Sequence, residues 1–326
     1  MKKSIKKLLS IVCLFALMLS FVFTLTACDS INGPVIGIVQ YVTHDSLDTI
    51  RDACIAELKQ QGYEDGKNCK IILENGNADA STIATIMATL KNKKADVIIA
   101  IATPTAVEAV KYSDKIPVVF SAVSDPTDIL SSGTNITGTS DAIQVSLILD
   151  YIKEVMQTNE KPLNKLGFIY NPSEANSVTN LGKIQEYLKD STIELKTKTI
   201  SKSSELQLTA EALATDVDAI FITDDNTVAS AMSVLANVGK EKKIPVFCGV
   251  DSEVNDGGLA TIGINYESLG KETGNMAARI LNGEKASDIP YKVFDTGLKL
   301  YVNETTLAAI EYTLPEYKDG ETVYFR

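Results

Sequence analysis

Tryptophan is absent from this chain of 326 residues, and histidine occurs once, at His44. One imidazole cannot build a histidine metal site, and any catalytic triad based on histidine would have to use this residue. There is no GxSxG elbow, no GxxxxGK[ST] phosphate loop and no HExxH, and Gly257-Gly258 is an isolated turn signal. The adjacent acids Asp224-Asp225 are the one feature a hydrolase might use, and nothing else supports catalysis, so the chain reads as a non-enzyme with no cofactor. Five cysteines are present without CxxC spacing. Cys13 and Cys28 belong to the N-terminal segment discussed below. Cys54, Cys69 and Cys248 form an odd remainder, which argues against a disulfide framework or a thiolate metal site. Buried free thiols are the default, with a Cys54–Cys69 bridge left open. Basic residues are outnumbered, 31 Lys and Arg against 42 Asp and Glu, which argues against nucleic acid as a partner.

The first residues differ from all that follows. Lys2, Lys3, Lys6 and Lys7 form a basic start, Leu8 to Leu25 is uncharged and apolar, and Leu25-Thr26-Ala27-Cys28 closes the segment. Eighteen apolar residues almost suffice to span a bilayer, so an uncleaved anchor is one reading. Small residues directly before a cysteine favour a cleaved export signal over residues 1–27. The pattern resembles the bacterial lipobox, in which Cys28 would be lipidated and become the mature N-terminus, followed by a linker over 28–33. Acyl chains would then hold the protein at the outer face of the cytoplasmic membrane, at about 0.8 kcal/mol per buried methylene. Removing 27 of the 326 residues leaves 299, enough for two lobes. The four lysines leave with the segment, so the net charge moves from −11 to −15.

Beyond this segment, apolar β-type runs alternate with helical patterns, the signature of parallel α/β architecture. Strands are expected at Val35–Val39, Lys70–Leu73, Val97–Ile101, Val118–Phe120, Leu166–Tyr170, Glu194–Thr199, Ala219–Ile222 and Val246–Cys248. Helices are expected at Leu47–Gln60, Ser81–Leu90, Ala142–Met156, Val178–Leu188 and Val228–Val238. Most of the strands are apolar throughout, as when helices cover both faces of a sheet. The chain also echoes itself. Asp96-Val97-Ile98-Ile99-Ala100, Thr103-Pro104-Thr105 and Lys115-Ile116-Pro117-Val118 return as Asp218-Ala219-Ile220-Phe221-Ile222, Asp225-Asn226-Thr227 and Lys243-Ile244-Pro245-Val246, offset by 122 to 128 residues. Two copies of one doubly wound unit most naturally make two facing parallel-sheet lobes joined by a hinge. Lobe 1 is expected over 34–135 with about 264–300 returning to it, and lobe 2 over 136–263 with the C-terminal segment from about 301.

In such sheets ligands bind outside the carboxyl ends of the strands, near helix N-termini. That rule selects Gln40–Ser46, Thr103–Thr105, Ser121–Asp125, Asn171–Ser177, Asp224–Thr227 and Gly249–Ser252, all rich in Ser, Thr, Asn and Asp. Each such residue is also a natural helix cap. Taken as a set facing one another across two lobes, they make a cleft.

At these turns the chain resembles the ABC transporter substrate-binding family whose characterised members bind tryptophan or tyrosine. The stretches that carry the resemblance are Ala100-Ile101-Ala102-Thr103-Pro104-Thr105-Ala106, Ile116 through Pro126, Asn135-Ile136-Thr137-Gly138, Tyr170 through Ser177, Asp225-Asn226-Thr227-Val228 and Ser268-Leu269-Gly270. Asp224 departs from the pattern, where an uncharged residue is expected. The resemblance implies a periplasmic-binding-protein type I fold with three hinge crossings, an aromatic amino acid as ligand, an ABC permease as partner and a monomeric, lipid-anchored body. A sugar- or nucleoside-binding protein of the same fold is the alternative, although the lack of tryptophan leaves few stacking faces. A surface adhesin or sensor built on the same body is another. For an amino-acid ligand, Thr103, Thr105 and Ser121 with the neighbouring Ala122 backbone suit the carboxylate. Asp225 suits the ammonium, with Asp125 or Asp251 in reserve. Asn171, Asn176, Ser177 and Asn226 offer hydrogen bonds from the second lobe, while Gln40, Tyr41 and Tyr170 line the wall, Phe120 is more a core residue, and His44 is expected in solvent rather than at the cleft mouth. Cys28→Ala is expected to release the protein from the membrane fraction or leave it unprocessed, as immunoblots of fractionated cells would show.

Overall fold

The computed structural model describes residues 33–326; the export-signal and lipidation expectations for 1–27 and Cys28 lie outside the described residues. The chain begins with a parallel sheet. β1 (Val35–Gln40), β2 (Lys70–Asn75), β3 (Val97–Ile101), β4 (Val118–Ser121) and β5 (Ile136–Ser140) alternate with α1 (Asp45–Gln60), α2 (Ala80–Asn92), α3 (Thr103–Ala109) and α4 (Thr127–Ser132). Val97 to Ile101 is buried at every position, which is why this strand is apolar without alternation. Asp79 caps α2 by accepting from the Thr82 amide at 2.7 Å.

The chain then leaves through α5 (Val145–Thr158) and builds a second sheet. Its strands β6 (Lys165–Tyr170), β7 (Glu194–Thr199), β8 (Ala219–Phe221), β9 (Val246–Phe247) and β10 (Ala260–Gly263) are joined by α6 (Ala175–Leu188), α7 (Leu206–Leu213), α8 (Asn226–Ala229), α9 (Met232–Lys242) and α10 (Asp251–Asn255). Val145, Ile148, Leu149, Ile152, Val155 and Met156 form the buried stripe of α5, the spacing of an amphipathic helix. After β10 the chain returns to the first lobe as α11 (Tyr266–Leu281) and β11 (Lys292–Val293). It ends on the second lobe as β12 (Lys299–Asn303), α12 (Glu304–Ile310) and β13 (Thr322–Phe325). The sheet orders are β11-β5-β4-β3-β1-β2 and β13-β12-β10-β9-β8-β6-β7. All pairings are parallel except β10 with β12.

Three crossings therefore join two parallel-sheet lobes. The first runs from Asp141 to Gln144, after β5, because Ile136 and Thr137 pair with Val118 and Val119 in the first sheet. The expected lobe boundary at 136 thus moves beyond Ser140. The second crossing follows Gly263, since β9 and β10 both pair in the second sheet. The third lies between β11 and β12. The crossings are tied together: Tyr266 donates to Asp141 Oδ2 at 2.8 Å, and the Phe294 amide donates to the Ser140 carbonyl at 3.0 Å. Helix α5 starts three residues later than expected, at Val145, because the preceding residues are the hinge. The three cysteines are free and buried, which closes the question of a Cys54–Cys69 bridge.

Helix α11 lies along α1, and its glycines set the approach. A Cβ at Gly270 would lie 2.5 Å from the Ile50 carbonyl oxygen, and one at Gly274 would lie 2.7 Å from that of Cys54. Both neighbours are backbone and cannot turn aside. Gly270→Ala is expected to lower folding stability by about 1–3 kcal/mol, the usual cost of overpacking. Urea denaturation followed by circular dichroism checks this.

Candidate functional site

The carboxyl ends of the two sheets face each other around a cleft of about 320 Å³. The first lobe contributes His44, Ser46 and Leu47 after β1, Ala102 and Thr103 after β3, Ala122 after β4, Asp141 after β5, and Tyr266 at the start of α11. The second contributes Asn176 of α6, Asp224, Asn226 and Ala229 after β8, and Val250 and Glu253 at α10. The lobes touch directly at the rim. His44 Nε2 lies 3.1 Å from Asn226 Oδ1, Ser46 meets Ser252 through their hydroxyls, and the Ser124 hydroxyl donates to Asp224. Val250 joins the apolar cluster of the first lobe although its strand belongs to the second.

Two alanines shape the first lobe's half. Ala102 has φ 80° and ψ 151°, and Ala122 has φ 53°. Both fall where side chains are disfavoured, a strain of order 1–3 kcal/mol per residue that surrounding structure must hold. They sit at the ends of β3 and β4, and both line the cleft.

Electrostatically the cleft is acidic and lacks a basic partner: its lining contains Asp141, Asp224 and Glu253 but no lysine or arginine. Burial, reinforced by the nearby Asp224 charge, pushes Asp141 up to about 7. Burial, with Asp224 and Asp225 adding to it, raises Glu253 well above the ordinary carboxylate range. Burial also lowers the pKa of His44, against the pull of the Asn226 bond and of Asp48 and Asp45. Because Asn226 Nδ2 is used by Glu174, Asn226 Oδ1 is an acceptor and His44 Nε2 is the donor. Four buried groups in the lining have no hydrogen-bond partner: Thr103 Oγ1, Asn176 Oδ1 and both carboxylate oxygens of Glu253.

Of the residues expected from the sequence, Thr103, Ala122, Asn176 and Asn226 lie in the lining. The others are placed elsewhere. Asp225 is 0 % exposed and fully engaged, accepting from the Asn171 amide at 2.6 Å, the Ser177 hydroxyl at 2.6 Å and the Val228 amide at 2.9 Å. It is the N-cap of α8 and holds α6 beside it, so its role in the structure is architectural. Asn171 reaches Thr227, and Ser177 is spent on Asp225. Ser121 joins Thr139 and Thr273 inside the first lobe, and Thr105, in the first turn of α3, is buried outside the lining. Gln40 bonds Val42, Asp48 and Arg51. Tyr41 reaches the Ala78 carbonyl at 3.5 Å. Tyr170 stacks on Phe168 at 5.4 Å. Asp125 is exposed and accepts from the Thr127 amide, and Asp251 accepts from the amide of Ser252.

Sequence reasoning did not single out Asp141, Tyr266, Glu253 or Ala229, and reached Val250 only as part of the Gly249–Ser252 turn. Asp141 lies in a hinge rather than at a strand-to-helix turn of the ordinary kind, and Tyr266 opens a helix that no echo marks. Glu174 also carries a role that was not expected. It accepts from both the amides and the side chains of Asn226 and Thr227, at 2.6 to 3.0 Å, and so holds the start of α8 together with Asp225.

Comparison with known proteins follows from this geometry. The family profile described as ABC transporter substrate binding protein matches residues 35–318. The chain is 35% identical over 289 residues to a tyrosine-binding protein of Clostridioides difficile strain R20291, covering 87% of this chain and 82% of that one. Among solved structures it resembles an ABC domain from Streptococcus pneumoniae in complex with L-Trp, with TM-score 0.81 and 29% identity over 89% of this chain and 100% of that one. It also resembles the ligand-free, open structure of CD0873 from Clostridium difficile, a substrate-binding protein with adhesive properties. There the TM-score is 0.62 at 33% identity, over 90% and 100% of the two chains. The better superposition falls on the complex with L-Trp despite its lower identity, so the lobes here sit nearer the arrangement of that complex than that of the open, ligand-free structure.

The Asp225–Glu174 pair lies wholly within the second lobe and sets a pH dependence of folding. Burial first, then the Glu174 charge, lifts Asp225 to about 8, and burial raises Glu174 as well. These groups hold protons when folded that the unfolded chain releases near pH 4. Their contribution is complete below that pH and is lost as pH rises through the folded values. The unfolding free energy is expected to fall by at least about 2 kcal/mol between pH 5 and pH 8, each raised group contributing up to about 1.4 kcal/mol per unit. Asp225→Asn should flatten that slope, as urea titrations at both pH values would show.

Proposed function

The chain belongs to the ABC transporter substrate-binding protein family, whose role is solute capture rather than catalysis, and on that premise we propose that it carries an aromatic amino acid to a permease. The cargo is tyrosine, tryptophan or phenylalanine, held between the lobes at an extracytoplasmic site. Lipidation at Cys28 anchors the body to the outer face of the membrane.

The observation that carries this reading is the set of buried, partnerless groups in the cleft wall. Leaving a buried polar group unsatisfied costs about 1–3 kcal/mol, and native interiors rarely tolerate several together. Thr103 Oγ1, Asn176 Oδ1 and the Glu253 carboxylate converge on one space, so the ligand is what satisfies them. An α-amino acid fits the inventory. Its ammonium supplies donors to the cleft acids Asp141, Asp224 and Glu253, and its carboxylate accepts from the Thr103 hydroxyl. Leu47, Ala122, Ala229 and Val250 and the Tyr266 ring give the side chain an apolar wall, where an aromatic pair adds roughly 0.5–1.5 kcal/mol beyond burial. Support from relatives lies in their names, a tyrosine-binding protein and a complex with L-Trp.

Isothermal calorimetry of the purified protein against the twenty amino acids and common sugars tests the reading. At least one of tyrosine, tryptophan and phenylalanine is expected to bind, and at 100 times its dissociation constant to add about 2.7 kcal/mol of stability. Binding of a sugar with no response to any amino acid would move the cargo to another class.

A further inference from the structure

The acids of the cleft are divided between the lobes. Asp141 stands in the first crossing, at the end of β5, and Asp224 follows β8 in the second lobe. In the closed arrangement the Ser124 hydroxyl reaches both, lying 3.4 Å from Asp141 Oδ1 and in direct contact with Asp224 Oδ2. That hydroxyl has one proton and can satisfy only one carboxylate. The remaining donors are the Tyr266 hydroxyl on Asp141 Oδ2 and Asn180 Nδ2 on Asp224 Oδ1, both neutral. Glu253 adds a third carboxylate, 1 % exposed, with neither oxygen partnered. Behind these lie Asp251, Asp225 and Glu174, and the one imidazole present, His44, is spent on Asn226, with its pKa lowered by burial. Among the described residues none of Asp141, Asp224 and Glu253 enters an ion pair. No cluster of acids, cysteines or histidine there is built to hold a metal ion.

We propose that Asp141 and Asp224 form an electrostatic gate split across the hinge, which permits closure only when the ligand brings a cationic group between them. Opening separates the two charges and returns them to water. Closing brings them together with Asp141 buried and Asp224 half-buried, where like charges repel more than they do in water. A ligand ammonium cancels the repulsion and donates to both lobes at once, so its differential affinity for the closed form is large. A proton is the substitute cation, consistent with the rise of Asp141 to about 7. The specificity determinant is then the amine of the cargo, and a neutral sugar or a carboxylate without an amine leaves the gate open. This gate rests on the amino-acid reading above for the identity of its natural cation, but its closure chemistry is measurable without ligand.

The test uses the mature chain, Asp224→Asn and Asp141→Asn. Each asparagine keeps an acceptor for Asn180 or Tyr266 while removing the charge, and the second variant covers a folding failure of the first. Small-angle scattering without ligand is expected to show the parent extended at pH 8 and more compact at pH 5, with the variants compact at both. In calorimetry the parent should bind L-tyrosine or L-tryptophan at least about thirtyfold more tightly than the corresponding arylpropionate, which lacks the amine. Tyramine or tryptamine should retain a measurable share of the affinity. In the variants the discrimination against the arylpropionate should shrink about tenfold. Ligand-free radii that match the parent's in both variants, or undiminished discrimination in both, overturn the gate. If aromatic amino acids bind while the variants change nothing, the gate fails and the cargo reading stands. If none binds while the charge-dependent compaction persists, the gate stands and the cargo is another amine.

Discussion

The cleft is governed by carboxylates that line it without a lysine or arginine beside them. Elsewhere on the molecule acids are paired at the surface, as in the contacts of Lys165 and Lys196 with Asp216, where such pairs contribute little. Inside the cleft the solutions are different. Glu174 and Asp225 are surrounded by hydrogen bonds from backbone amides and hydroxyls at the start of α8, a fixed arrangement within one lobe. Asp141, Asp224 and Glu253 have no such full set, and they face the space between lobes. One group of acids is therefore architecture, and the other group is left for what enters the cleft.

The hinge makes that division possible. Asp141 and Tyr266 stand in or beside two of the three crossings and bond each other, so one wall of the cleft is built from the segments about which the lobes move. Helix α11 carries Tyr266 on the first lobe because Gly270 and Gly274 let it approach α1 at backbone distance. The strained turns at Ala102 and Ala122 hold the ends of β3 and β4 in the wall. Packing far from the cleft thus fixes where its polar groups stand.

Much of the fold was legible. Strands β1, β3 and β4 appear within one residue of where composition places them, because their near-complete burial leaves a plain apolar signal. The second half was legible through its echo of the first. What was missed is what lacks either property. Strand β5 contains Thr137, Gly138, Thr139 and Ser140, polar or small residues that are buried only because they pack against Phe120 and α11. Strands β12 and β13 pair parallel to each other at the edge of the second sheet, and β12 joins β10 antiparallel, outside the repeat altogether. The lobe boundary moved for the same reason, since β5 carried no hydrophobic run to assign it to the first sheet.

The candidate site was legible by region and illegible by residue, and the echo explains why. It aligns the turn after β3 with the turn after β8, and Thr103 with Asp225. In the first lobe that turn leaves Thr103 Oγ1 without a partner and in the lining. In the second lobe the equivalent acid turns back toward α6 and closes a network with Asn171, Ser177 and Val228, while its neighbour Asp224 projects to the cleft. A duplicated backbone conserves where a helix begins, because the orphan amides of its first turn must always be satisfied. It does not conserve which side chain satisfies them. Once Glu174 and Asp225 together supplied that need in the second lobe, the adjacent acid was released from capping and became available to the space between the lobes. Two neighbouring aspartates of one chemical type, one residue apart, thus acquire opposite tasks from partners 44 to 54 positions away in the chain, and only the folded structure brings those partners to them.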